Sequence, residues 1–164
     1  MLIVERIEQV VGIEYCAFID EHGTFNLVSS MEDEDGFNLT EGKVGYIRFS
    51  SKGYLQEVEV LFVKPVQSSH VITKQPKEVI IGTPRFNPYK FQAEKYNPVI
   101  VINDKSALIL FGSNKIDECD SVVKGNGLNF YLIDSELVAI ELPRVVKDFD
   151  GSEQGQWLKT RNLI

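Results

Sequence analysis

The stretch Gly45–Pro65, GYIRFSSKGYLQEVEVLFVKP, constrains this chain more than any other. Tyr46–Phe49 and Leu55–Val63 read as strands, and Ser50-Ser51-Lys52-Gly53 reads as the turn between them. In the second strand Val58, Val60 and Phe62 fall on one face, while Glu57 and Glu59 share the other with Leu61 and Val63. Period-two alternation closed by a Gly-containing turn predicts a half-buried hairpin. A lone hairpin is marginal in water, so its apolar face needs further strands.

The rest of the chain supplies them. Leu2–Val11 fits a helix or a strand by spacing, and its β-branched residues favour the strand. Tyr15–Ile19 and Thr24–Val28 predict a hairpin around Asp20-Glu21-His22-Gly23. Ser29–Val44 is a polar connection with an acidic run, Glu32-Asp33-Glu34-Asp35. Val71–Thr73 and Val79–Ile81 read as short strands, and Asn87-Pro88 opens a predicted short helix that Asn97-Pro98 ends. Val99–Ile102 with Ala107–Phe111, and Leu128–Ile133 with Leu137–Leu142, are two more hairpins, separated by a polar stretch from Gly112 to Asn126. The tail after Pro143 holds one large apolar side chain, Trp157, and reads as a loose arm or a short helix.

Hairpin, acidic connection and hairpin thus occur twice. An offset of 83 residues places Ile19 on Ile102, Leu27 on Leu110 and Val28 on Phe111. With one residue deleted, Gly45 falls on Gly127, Leu55 on Leu137, Val58 on Ile140 and Glu59 on Glu141. Shared turn chemistry accounts for part of this match, and duplication for the rest if it is real. The expectation is a mostly β, antiparallel fold with little helix, in a single domain over residues 1–164. Its two similar halves span 1–68 and 76–145 in a pseudo-twofold arrangement, with a C-terminal arm over 146–164. The groove between the halves is the natural ligand site, and Tyr46, Tyr89 and Tyr131 are its candidate lining.

Composition narrows the function. A formal charge of -7 opposes nonspecific nucleic-acid binding, which needs a basic surface. No apolar run nears the roughly 18 residues of a membrane span, and Glu5, Arg6 and Glu8 interrupt the place of a signal-peptide core. The expected location is therefore cytoplasmic. Two cysteines, Cys16 and Cys119, cannot build a disulfide framework or a four-thiolate zinc site, and His22 and His70 have no ligand at metal spacing. Asp33-Glu34-Asp35-Gly36 and Asp148-Phe149-Asp150-Gly151 share the D-x-D-G core of a calcium loop but lack its first and last carboxylates. Glu57, Glu59 and Glu141 read as outward strand residues, and neither a phosphate loop nor a nucleophile elbow is present. No catalytic residue, metal or cofactor is predicted.

The acidic connections remain. Glu32, Asp33, Glu34 and Asp35 in one half, and Asp117, Glu118 and Asp120 in the other, are the candidate surface for a basic protein partner, with Trp157 and the Phe86–Tyr89 loop as candidate apolar anchors. In general character, and in hairpins such as IRFSSKGYLQEVEVLF, about half of the chain resembles the immunity proteins that bacteria encode beside secreted or contact-delivered toxins. That resemblance implies a non-enzymatic cytoplasmic protein that neutralises a cognate toxin, often a basic nuclease, by covering its active site. A small-ligand-binding or enzymatic β domain using the groove is the competing class, and a structural or assembly module a third.

Overall fold

The computed structural model describes residues 2–9, 11–19, 23–31, 33–41, 45–61, 66–67, 74–87, 89, 98–102, 106–111 and 116–142. Its strands are β1 (Val4–Glu8), β2 (Tyr15–Ile19), β3 (Phe25–Ser29), β4 (Phe37–Glu41), β5 (Gly45–Phe49), β6 (Leu55–Val60) and β7 (Val66–Gln67). They continue as β8 (Glu78–Ile81), β9 (Thr83–Phe86), β10 (Val99–Ile102), β11 (Ala107–Leu110), β12 (Ser121–Gly125), β13 (Leu128–Ile133) and β14 (Glu136–Leu142). A 3-10 turn at Ile116–Glu118 precedes β12. The fold is mostly β and largely antiparallel, as the alternation predicts.

The four predicted hairpins are β2–β3, β5–β6, β10–β11 and β13–β14. Four strands arise where connections were expected. β4 lies inside the polar stretch after Ser29, β7 directly follows Pro65, β9 contains Pro84, and β12 occupies the end of the stretch that leads to Asn126. The predicted strand at Val71–Thr73, most of the predicted helix after Asn87 and the whole tail lie outside the described residues.

Strands assemble into a five-stranded sheet of order β2-β3-β6-β5-β4, a seven-stranded sheet of order β7-β10-β11-β14-β13-β12-β8, and a β1–β9 ribbon. Among the described residues, parallel pairing is confined to the outer strands of the larger sheet, β7 on β10 and β8 on β12. One core joins the inner faces of both sheets to the ribbon. Val58, Val60, Ile140 and Leu142 all lie in it, as the matched alternation predicts, together with Leu2, Val4 and Phe86. Phe86 bridges the sheets, with its ring 5.1 Å from Phe49 and 6.2 Å from Phe130. Removing such side chains from water is the main stabilising term, about 1.5–3 kcal/mol for each large one. A second cluster of Val101, Leu108, Val122, Tyr131, Val138 and Ala139 lies on the outer face of the larger sheet.

Contacts at Gly53 and at Asn126 are among those that fix the ribbon against the sheets. Gly53, at φ +84°, lets the β5–β6 turn approach β9, so that the Phe86 N–H reaches the Gly53 carbonyl at 2.8 Å. Asn126 ties three segments together. Its Nδ2 donates to the Val11 carbonyl and, at 2.9 Å, to the Ile13 carbonyl, while its Oδ1 accepts from the Thr83 hydroxyl at 2.7 Å. The Thr83 oxygen in turn accepts the Val11 N–H at 3.0 Å.

The smaller sheet and the middle five strands of the larger one have the same order, β2-β3-β6-β5-β4 against β10-β11-β14-β13-β12. A bulge recurs at the corresponding place, between Arg48 and Phe49 opposite β6 and between Tyr131 and Leu132 opposite β14. The ladders also correct the sequence alignment. Leu27 pairs with Val58 and Ile109 with Ile140, so Leu27 corresponds to Ile109 and not to Leu110. The cause is a first hairpin loop one residue longer, since Ile19 pairs with Phe25 but Ile102 with Ala107. Gly45 likewise corresponds to Leu128, not Gly127, because Gly45 faces Val60 while Phe130 faces Ile140.

Candidate functional site

The first acidic connection divides into a part tied to the β5–β6 turn and an outward part. Asp33 is the tied one. Its Oδ2 accepts from the Ser51 N–H at 2.8 Å and from the Ser51 hydroxyl at 2.7 Å, and its Oδ1 accepts the Asp35 N–H at 3.1 Å. These bonds, the hydroxyl one foremost, hold its carboxyl below the usual range. Arg48 reinforces the corner by donating from Nη2 to the Asp33 carbonyl at 2.9 Å and from Nε to Gln56 Oε1 at 3.2 Å. Gln56 is the extra residue of the bulge opposite Arg48 and Phe49, and the bulge turns it into the interior. Glu34 and Asp35 form the tip of the turn and are exposed.

Asp120 in the second connection behaves as Asp33 does. Its Oδ2 accepts the Asp134 N–H at 2.9 Å, and its Oδ1 accepts from the Ser121 hydroxyl at 3.0 Å. Ser51 and Asp134 both stand two residues beyond corresponding strand positions, Phe49 and Leu132. In both units an aspartate entering the third strand therefore holds the turn between the fourth and fifth. Asp117 and Glu118 are exposed on the 3-10 turn. Glu32 and Trp157 lie outside the described residues.

Sequence reasoning proposed the Phe86–Tyr89 loop as an anchor, and the structure divides it. Phe86 is core. Tyr89 is 83% exposed, and its ring meets the half-buried Phe37 edge-on at 5.5 Å. Phe37 begins β4, immediately after Gly36 and the Glu34-Asp35 tip. An exposed aromatic ring thus packs on the strand that the acidic tip leads into. The sequence marked the acidic run and the Phe86–Tyr89 loop separately but not their meeting, because the Phe37–Tyr89 contact joins residues far apart in the chain.

The three tyrosines proposed for a shared groove are dispersed. Tyr46 lies on the outer face of β5, where burial and then Glu57 push its hydroxyl pKa up. Tyr131 lies in the outer cluster and donates to Glu141 Oε2 at 2.9 Å. A cavity of about 480 Å³ opens between β1 and the β8–β12 side of the larger sheet, with Val4, Ile80 and Leu132 among its apolar lining and Arg6, Lys77, Asp120 and Asp134 among its charged lining. None of the three tyrosines lines it. Nearby, Glu8 pairs with Arg6 at 2.6 Å and accepts a hydrogen bond from the Tyr54 hydroxyl, which holds its carboxyl low.

No group of three or more histidines, cysteines and carboxylates able to hold a metal occurs among the described residues, and His22 and His70 lie outside them. Cys16 is buried. The Cys119 thiol is pushed up to about 11, by burial first and then by Asp120 and Asp117, so it is protonated at neutral pH. No helix among the described residues is long and apolar enough to cross a membrane. No protein-family model matches the chain, and no curated protein matches it in sequence.

Proposed function

We propose that this protein is a non-enzymatic binding module that docks a basic protein, and that it acts in the cytoplasm as the immunity partner of a bacterial toxin. One observation carries the reading: an exposed aromatic ring, Tyr89, packs on Phe37 directly after the exposed carboxylates Glu34 and Asp35. Carboxylates of this kind raise the rate of encounter with a basic surface, and a neighbouring aromatic supplies the desolvated contact that slows escape. Asp33 and Asp120 have a different part in it. Their carboxylates are spent on turn N–H groups, which hold the acidic loops in place for Glu34, Asp35, Asp117 and Glu118 to meet a partner. We also propose that the two five-stranded units are a tandem duplication, a reading supported by their common strand order and recurrent bulge.

The test uses the product of the gene beside this protein's own. Coexpressed, the two should copurify as a stoichiometric complex, and the chain should restore growth to cells that make the product alone. Glu34→Gln with Asp35→Asn should slow association, and added salt should then slow it less than in the parent. Absence of both complex and growth rescue would overturn the proposal.

A further inference from the structure

The two units differ at one edge. In the larger sheet β12 is covered by β8, which runs parallel to it and sets Ile80 beside Val123. Val123 is consequently fully buried. In the smaller sheet the corresponding strand is β4, since Leu39 faces Ile47 as Val123 faces Phe130, and Ile47 and Phe130 face Val58 and Ile140 in turn. Among the described residues β4 pairs with β5 alone, and Leu39 packs against the core while only partly buried. Among the described residues the molecule thus holds a filled and an open version of the same edge.

Resting on the docking reading above, we propose that β4 is where the basic partner binds, and that it binds by adding an extended strand parallel to β4, as β8 adds to β12. A strand edge presents backbone N–H and C=O groups that an incoming segment can satisfy, while side chains on alternate positions supply selectivity. The required chemistry follows from what borders the edge. An apolar side chain of the partner sits over Leu39 as Ile80 sits beside Val123. Lysine or arginine flanking it meets Glu34 and Asp35, the exposed carboxylates that lead into β4. Tyr89, standing on Phe37, closes over the same end of the strand.

The experiment titrates the full chain at low salt with the acetylated and amidated peptide KIKVKIK, and with the same peptide methylated on alternate backbone nitrogens. Affinity is followed by calorimetry and the β4 amides by hydrogen exchange. The unmodified peptide should bind on the order of tenfold more tightly than the methylated one and slow exchange at the amides of Phe37–Glu41 that β5 does not engage. Glu34→Gln with Asp35→Asn should weaken both effects. Equal, charge-dependent binding of the two peptides without slowed β4 amides would overturn strand addition and leave the docking reading standing. Slowed amides in β8 instead of β4 would also overturn strand addition. No binding of either peptide at millimolar concentration would overturn both readings.

Discussion

The carboxylate of Asp33 holds Ser51 twice, taking its backbone N–H at 2.8 Å and its hydroxyl at 2.7 Å across 18 residues of chain. Both bonds favour the ionised form, so the folded-state pKa lies below the ordinary value of 3.8. A depressed carboxyl pKa contributes stability that is complete above the unfolded pKa and is lost as pH falls through the folded one. Thermal midpoints of the parent and Asp33→Asn should therefore differ above about pH 5 and converge in stronger acid. A gap unchanged down to about pH 2 would contradict this account of the corner.

The shared core predicts comparable losses from both sheets. Val60→Ala and Leu142→Ala each remove buried methyl groups from facing units and should cost about 1–4 kcal/mol in urea unfolding. Unchanged midpoints in both variants would show that the inner faces are assigned wrongly.

Asn126 allows two effects to be separated. It combines a left-handed backbone, φ +57°, with side-chain bonds to Val11, Ile13 and Thr83. Asn126→Gly keeps the backbone and loses the bonds, at about 1–3 kcal/mol. Asn126→Ala loses both and should be about 1 kcal/mol worse still. Equal stability of the two variants would leave the backbone conformation without consequence.

Gly53 makes a sharper case, because a Cβ there would stand 2.5 Å from the Phe86 carbonyl oxygen at a backbone φ of +84°. Gly53→Ala should destabilise by more than the roughly 1–2 kcal/mol that left-handed strain alone costs. Phe86 should be displaced, and the change should appear in the ring NMR shifts of Phe49 and Phe130, whose centroids lie 5.1 and 6.2 Å from its own. A fully stable variant with unshifted rings would refute the tight approach.

The strands legible in the sequence were those whose alternation declares a buried face, such as Val58 and Val60 against Glu57 and Glu59. β4 escaped because FNLTE offers only Phe37 and Leu39 as apolar residues, at an edge where one half-buried face suffices. β9 escaped because Pro84 argues against a strand, and is tolerated in a two-stranded ribbon. The parallel pairing of β8 with β12 has no local signature at all, since it joins segments about 40 residues apart. Among the site residues, the sequence marked Asp33 as acidic but could not distinguish it from Glu34. Only the position of Ser51 makes one a turn clamp and the other a surface charge.

The placement of β1 has a consequence for how the protein emerges from the ribosome. The smaller sheet can close once Val60 is available, and β2 through β6 need nothing later in the chain for their pairing. β1 is made before all of them, yet its ladder partner is β9, and its start is held by the N–H of Leu137 on the Leu2 carbonyl and by the Val4 N–H on the Ser135 carbonyl. Leu2 and Val4, both buried in the finished molecule, must therefore wait for their final neighbours until β9 and the β13–β14 turn are made. β1 is thus translated ahead of every segment it pairs with and docks late, and its apolar side chains are a long-lived exposure to chaperones and to misassociation.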